Sequence, residues 1–272
     1  MQDNLKNIRN LSPSILANLN KLIVNRMGKT KDAYMLTRDI VSFVSPNQTY
    51  RLEADMTLHA VASSLRTCHS ESENVLKKPI HAVLTGIWHS QETTFNPNAN
   101  ILGGMGMLVL HDNQSAQIPV VTATSENLAF YNARLLSVDD TRIFETKQDL
   151  PLTETTIGPD YVKLYLSQSQ EGGGEYIEHH EEPHLWAPKH ANCGGHILLG
   201  KQEKGKFYFT GFRIPFGHAV YLSPHTLHSD AYLIGDYLVV YTVTEAYSTV
   251  IIRDEAKQLK RLEFIPTTED KC

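Results

Sequence analysis

Thirteen histidines are spread unevenly along the chain: eight of them fall between His179 and His228, with none in 112–178 and none after 228. Inside that stretch the run Glu178-His179-His180-Glu181-Glu182-Pro183-His184 crowds imidazoles and carboxylates together. In an extended strand side chains alternate, so His180, Glu182 and His184 share one face while Pro183 points away, as suits a strand at a barrel edge. Neutral imidazole combined with carboxylate is a ligand set for a divalent transition metal. His180, Glu182 and His184 are therefore candidate ligands, and one residue out of register the pair His179 and Glu181 offers the same chemistry.

A second segment runs Gly217-His-Ala-Val-Tyr-Leu-Ser-Pro-His-Thr-Leu-His228-Ser-Asp230: a turn glycine, a short apolar strand, a second turn, then a histidine opening the next strand. It resembles the second motif of the cupin family, Gly-x5-Pro-x-Gly-x2-His, with Gly217, Ser223, His225 and His228 at the four fixed positions. Proline has slipped to position 224, and His225 replaces the second glycine. The first cupin motif is not cleanly present, and Cys193 stands where its glutamate would be. The resemblance implies that His228 is a metal ligand in a double-stranded β-helix, a cupin-like jelly-roll barrel.

His180-x-Glu182 followed by the distant His228 also resembles the two-histidine, one-carboxylate facial triad of the non-haem Fe(II) oxygenases, which share that barrel. Three ligands on one face leave open positions for O₂ and substrate. The 2-oxoglutarate-dependent branch adds an arginine beyond the distal histidine. Tyr237 and Leu238 stand at that distance here, and Arg253 is the nearby basic candidate, so use of 2-oxoglutarate stays open.

Rival motifs fare worse. His180-Glu181-Glu182-Pro183-His184 fits His-Glu-x-x-His, with His190 where a metzincin's third zinc ligand would fall. That motif works only on a helix, and Pro183 inside the turn would cost roughly 3 kcal/mol. Cys193-Gly-Gly-His196 lacks the distant pairing of a cysteine protease. Gly103-Gly-Met-Gly106 lacks the third glycine of a dinucleotide fingerprint, and no Gly-x-Ser-x-Gly elbow occurs. His190, His196, His218 and His225 read as ordinary surface or hydrogen-bonded imidazoles.

The elements that must carry these residues are mostly strands. Ser12-Pro13 reads as an N-cap with proline at the first helical position, and Ile15, Leu16, Leu19, Leu22 and Ile23 repeat at helical spacing up to about Met27. Asp32 to about Phe43 is ambiguous between helix and strand. From residue 80 short apolar runs alternate with turn residues: Ile80–Ile87, Leu102–Leu110, Ile118–Ala123, Leu128–Leu136 and Tyr161–Leu166, then His196–Leu199, Phe207–Phe209, Ala219–Leu222, Tyr237–Thr244 and Ser248–Ile252. The glycine-rich stretch 168–174 reads as a joint or wide loop, and Leu262 to Cys272 as a loose polar tail.

Composition narrows the class. A 272-residue chain with 41% hydrophobic and 20% charged residues can bury a full core. A net charge of −5 without a basic run argues against a nucleic-acid partner. No window is apolar enough to span a membrane, the N-terminus has no apolar signal region, and three scattered cysteines indicate no disulfide framework, which fits a reducing cytoplasm.

The expectation is a mainly β protein: a helical segment over 1–45, a β-rich half over 46–167 that forms a degenerate barrel half, a cupin-like metal-binding barrel region over 175–256, and a polar tail over 257–272. The resemblance implies a small-molecule enzyme. Its metal, Fe(II) before Zn, Mn or Ni, is held by His228, His180 and Glu182 or His184 and supports a dioxygenase-type oxidation, with Tyr221, Tyr237 and Arg253 lining the pocket. A cupin-type isomerase or lyase and a metal-free binding module are the alternatives, and a homo-oligomer is left open.

Overall fold

The structure, a computed structural model, describes residues 25–62, 78–94, 105–111, 116–169, 171–242, 244 and 246–267. Its strands, in chain order, are β1 (Asn25–Met27), β2 (Tyr34–Val44), β3 (Thr49–Leu52), β4 (Leu58–Val61), β5 (Ala82–Thr94), β6 (Met105–Leu110) and β7 (Gln117–Thr122). A short helix α1 (Ser125–Ala129) leads to β8 (Ala133–Ser137), β9 (Thr141–Ile143), β10 (Leu150–Ile157), β11 (Tyr176–His180), β12 (His184–Pro188) and β13 (Gly194–Gly195). The last seven are β14 (Ile197–Glu203), β15 (Lys206–Arg213), β16 (His218–Leu222), β17 (Leu227–Ser229), β18 (Leu233–Val240), β19 (Tyr247–Arg253) and β20 (Glu263–Pro266).

Three layers result. One sheet runs β1-β2-β10-β18-β12-β16-β8. A second closes on itself as a seven-strand barrel, β14-β17-β11-β19-β6-β5-β15 and back to β14, mixed because β19 and β6 are parallel. The small sheet β4-β3-β9 covers the outer face of the first: Tyr50, Leu52, Met56 and Leu58 bury Leu152, Leu185, Leu238 and Val240. Alternation along β12 therefore turns Leu185 and Ala187 outward and leaves His184 and Trp186 facing the barrel. In β11 the odd residues face the barrel's mouth, where His179 meets Trp88 of β5. Its even residues Tyr176, Glu178 and His180 then face the first sheet.

Several expectations are corrected. The helix expected up to Met27 lies outside the described residues except for Asn25–Met27, and those form strand β1, paired with β2. Asp32 to Phe43 resolves as strand, because β2 is flanked by both β1 and β10. Leu128–Leu136 is not one strand: Thr124 caps α1 reciprocally with Asn127, and the strand begins only at Ala133. Tyr161–Leu166 coils into a single π-helical turn that stacks Tyr161 on Tyr165 at 5.6 Å, the i, i+4 spacing that a strand cannot bring together.

The glycine stretch folds back on that turn, with Gly174 N–H donating to the Leu166 carbonyl at 2.7 Å. Gly174 sits at φ +138, and a Cβ there would lie 2.5 Å from Ile251, so only glycine fits. Within the expected tail, Glu263–Pro266 pairs in parallel with β7 as β20. The strands of 46–167 do not form a separate half either: β5 and β6 complete the barrel, and β10 pairs with β18.

Candidate metal centre

His180 closes β11, His228 lies at the middle of β17, and His184 opens β12 in the opposite sheet. The chain crosses between the layers at Glu181-Glu182-Pro183, and Thr242 holds that crossing by donating to the Pro183 carbonyl at 2.9 Å. β17 lies between β11 and β14, which sets Glu178 opposite His228 on one side and Leu199 on the other. Two strands of the barrel wall and one strand of the facing sheet thus aim three imidazoles at one point.

The three rings are mutual neighbours, with centroids 5.3 Å apart for His180 and His184, 5.0 Å for His180 and His228, and 5.3 Å for His184 and His228. One nitrogen from each lies within 4.8 Å of the other two. His180 donates through Nδ1 to the Glu182 carbonyl at 2.6 Å, and His228 through Nδ1 to the Thr226 carbonyl at 2.9 Å. A carbonyl only accepts, so each of these rings carries its proton on Nδ1 and presents a lone pair at Nε2, the second-sphere arrangement that orients a metal-binding histidine. The buried atoms left without a hydrogen-bond partner include His180 Nε2, His228 Nε2 and His184 Nδ1. Buried unsatisfied polar atoms are costly, and one cation would satisfy three at once. The donor set fits a divalent metal.

Electrostatics agree. Burial, then the field of His228, lowers His180 to about 3, and burial with both neighbours holds His184 well below the ordinary histidine range. Neutral imidazole is the form that ligates. Burial alone would lower His228 as well, but its contact with Glu178, whose Oε1 lies 3.5 Å from His228 Nε2, leaves it raised. Burial alone would raise Glu178, but His228 and His180 bring it down to about 2, so it is an anion beside the three rings. Its other oxygen accepts from Thr249 Oγ1 at 3.2 Å. The Glu178 side chain is 21% exposed against 1% for His228.

Of the residues singled out from sequence, His180, His184 and His228 come together. Glu182 lies outside the group: the chain has already left β11, and the carboxylate packs against Thr146 and the backbone of Lys147, raised by burial. Tyr237 lies in the same sheet as His184, on β18 beside β12, and is separated from the histidines by Trp186. Its hydroxyl donates to the Gly194 carbonyl at 2.8 Å, and its ring meets the edge of Trp186, which in turn stacks on His184 at 5.5 Å. Arg253 ends β19 beyond Ile251, the partner of Tyr176, and reaches the carbonyls of Gly173 and Lys257. Tyr221 belongs to the outer core beneath Arg142. His180 to His184 spans a strand-to-strand crossing and not a helix, so the zinc-peptidase motif has no geometry to work with. Cys193 donates to the Asp236 carbonyl at 3.0 Å, and His196 stacks on Tyr232.

Sequence reasoning missed Glu178, Tyr241, Asp230 and Arg26. Glu178 precedes His180 by two residues on the same strand face, whereas Glu182 falls past the end of β11. Asp230 follows His228 at the same period, and its carboxylate accepts from the buried Tyr176 hydroxyl. Tyr241 brings its ring to 5.9 Å from His184. Arg26 carried no local signal at all. A separate cleft of about 630 Å³, with Trp88, His179 and His225 in its wall, occupies the barrel's mouth on the other face of β11.

Among the described residues, no helix is long and apolar enough to cross a membrane. Comparison of the chain with protein-family models, with curated proteins and with solved structures returned no match.

Proposed function

We propose that this protein is a mononuclear metal-dependent enzyme acting on a small molecule, and that Fe(II) supporting an oxygenation is its metal chemistry. The observation that carries the reading is the convergence of three buried, unpartnered imidazole nitrogens beside the anionic Glu178. His180, His184 and His228 would hold the ion, and Glu178 is the carboxylate within reach of a fourth position. When bound, the metal supplies open positions at which O₂ and substrate meet. The chain's own part is to keep His180 and His184 neutral, to fix His228 and His180 through the Thr226 and Glu182 carbonyls, and to back His184 with Trp186.

The fold part of this proposal is a double-stranded β-helix. Along the chain from β10 to β18 the strands pass back and forth between the two facing sheets, giving β10-β18-β12-β16 in one and β11-β17-β14-β15 in the other. Such winding is that of the jelly-roll architecture that cupins use. His225 supports it too: it replaces the motif's second glycine and takes the left-handed conformation, φ +66, that glycine would supply.

A second reading, a metal-dependent isomerase or lyase, is favoured by the three-nitrogen donor set itself, which suits Zn as well as Fe. Metal analysis of protein purified without chelator, together with O₂ consumption, separates the two. Stoichiometric iron with O₂ uptake is the expected result, and an added arm with 2-oxoglutarate decides whether that acid is a co-substrate. Zinc or nickel without O₂ uptake would favour the second reading, and no bound metal would leave a metal-free binding module.

A further inference from the structure

Two of the crowded histidines lie outside the group of three. His179 is on the opposite face of β11, and His225, in the turn before β17, reaches that strand through its backbone N–H, which donates to the His180 carbonyl at 2.7 Å. Both imidazoles stand in the wall of the cleft of about 630 Å³ at the barrel's mouth, with ring centroids 6.5 Å apart. Trp88 of β5 continues the row, its ring 5.6 Å from His179. Its Nε1 donates to Ser248 Oγ at 3.0 Å and Phe207 stacks on it at 6.2 Å, so the indole is fixed in place.

Phe130, just past α1, adds another ring to the wall, edge-on to Tyr131 at 4.9 Å. Lys201 of β14, also in the wall, sets its Nζ 4.7 Å from the Phe130 ring centre, and Lys78 Nζ approaches the same ring at 5.6 Å. Among the described residues that line the cleft there is no carboxylate, while Lys201 brings a positive charge. Lys201 also meets Glu203 at 2.8 Å, but that pair is open to water, where an ion pair is worth little and exchanges for another anion at small cost. A space of this size is that of a small-molecule site, and aromatic walls with a few polar groups are what such sites use to hold and orient a ligand.

We infer that the cleft is a binding site for a small aromatic carboxylic acid, separate from the metal centre, with the acid's ring against the aromatic wall and its carboxylate at Lys201. Offset and edge-to-face contacts between rings add to the area they bury, and each imidazole has an N–H to donate to an oxygen of the acid. An uncharged amide of the same shape keeps the ring contacts and loses the charge attraction. A saturated ring keeps the charge and loses the aromatic contacts. The site lies on the face of β11 opposite the three histidines, so its occupancy does not require a metal.

The test titrates the full chain calorimetrically, metal-loaded and chelator-stripped, with benzoate and naphthoate, with their uncharged amides and with cyclohexanecarboxylate. At least one aromatic acid is expected to bind about threefold or more tightly than its amide and about threefold or more tightly than the saturated acid, with the same affinity in both metal states. Lys201→Met should bring acid and amide together, Lys201→Arg should keep the preference, and His225→Gly should weaken the aromatic acid with metal uptake unchanged. Neither aromatic acid binding, the amides or the saturated acid binding as well as the aromatic acids, or a Lys201→Met protein with the parent's preference would each overturn the inference. If Lys201→Met does not fold, the two ratios of the parent decide. Acid bound only by metal-loaded protein would put the carboxylate on the metal and sink the cleft site, whereas acid preference in protein that takes up no metal would support the cleft site and sink the metal centre.

Discussion

The two faces of β11 are built to opposite specifications. Its odd side, Ile177 and His179, belongs to the closed barrel, whose interior is packed with Phe207, Phe209, Leu84 and Val250 and whose polar groups are few. On the even side, Tyr176, Glu178 and His180 look across to His184, Thr37 and Arg26, so buried polar groups gather beside apolar residues such as Met35 and Trp186. Burial of apolar area stabilises the first face. The second buries imidazoles, a carboxylate and a guanidinium, groups that are costly to take out of water unless they are paired or ligated. One strand thus separates a closely packed apolar face from a face on which buried polar and titratable groups gather.

Substitutions on either side should sharpen that contrast. The largest stability effect belongs to the apolar side: Phe209→Ala, at a fully buried ring, should cost about 3–5 kcal/mol in chemical denaturation, with no change in metal stoichiometry of the protein that still folds. On the polar side, Glu178→Gln should leave the unfolding midpoint of metal-free protein close to the parent's while lowering metal affinity by about 10- to 100-fold in a competitive chelator titration. A large fall in stability with unaltered affinity would reverse the roles assigned to the two faces.

Acid sensitivity offers a smaller effect away from the ligands. Burial, then Arg213, holds His196 down to about 4 in the folded chain, against about 6.5 when unfolded. The unfolded state therefore binds the proton first, so the stability tied to neutral His196 is present above pH 6.5 and is lost as pH falls from 6.5 through 4. His196→Phe, which preserves the stacking on Tyr232 and Phe264, should retain roughly 2 kcal/mol more stability than the parent at pH 4 relative to pH 7. Equal pH profiles for the two proteins would contradict this. The smallest effect is at His225: replacing it by glycine relieves a left-handed φ of +66 and should stabilise by about 1 kcal/mol or less, with metal binding intact.

These residues also show how far sequence carries. The histidines were legible from their clustering and from one turn motif, whereas the strand periodicity that grouped His180 with His184 does not describe them, since the crossing at 181–183 sets the two on facing sheets. The carboxylate was misassigned because period-two reading assumes that the strand continues, and β11 stops at His180 while Glu182 turns away to Thr146. Strand texture was legible in the β-branched runs, yet α1 was hidden inside one of them because a Thr124 capping box outweighs the local apolar pattern. Arg26 could not be found from its neighbours in sequence: it reaches Tyr161 and Tyr176 only after β1 has been added to the edge of a sheet whose members beyond β2 come from more than a hundred residues later, Tyr161 itself being separated from it by 135 positions.

His180, His184 and His228 together make up the proposed metal site. Elemental analysis after loading with Fe(II) under anaerobic conditions, on the parent and on His180→Ala, His184→Ala, His228→Ala and the control His218→Ala, tests it most directly. One ion per chain is expected in the parent and in His218→Ala, with loss in each of the other three. Metal retained in those three variants, or absent from the parent while its fold is intact, would contradict it.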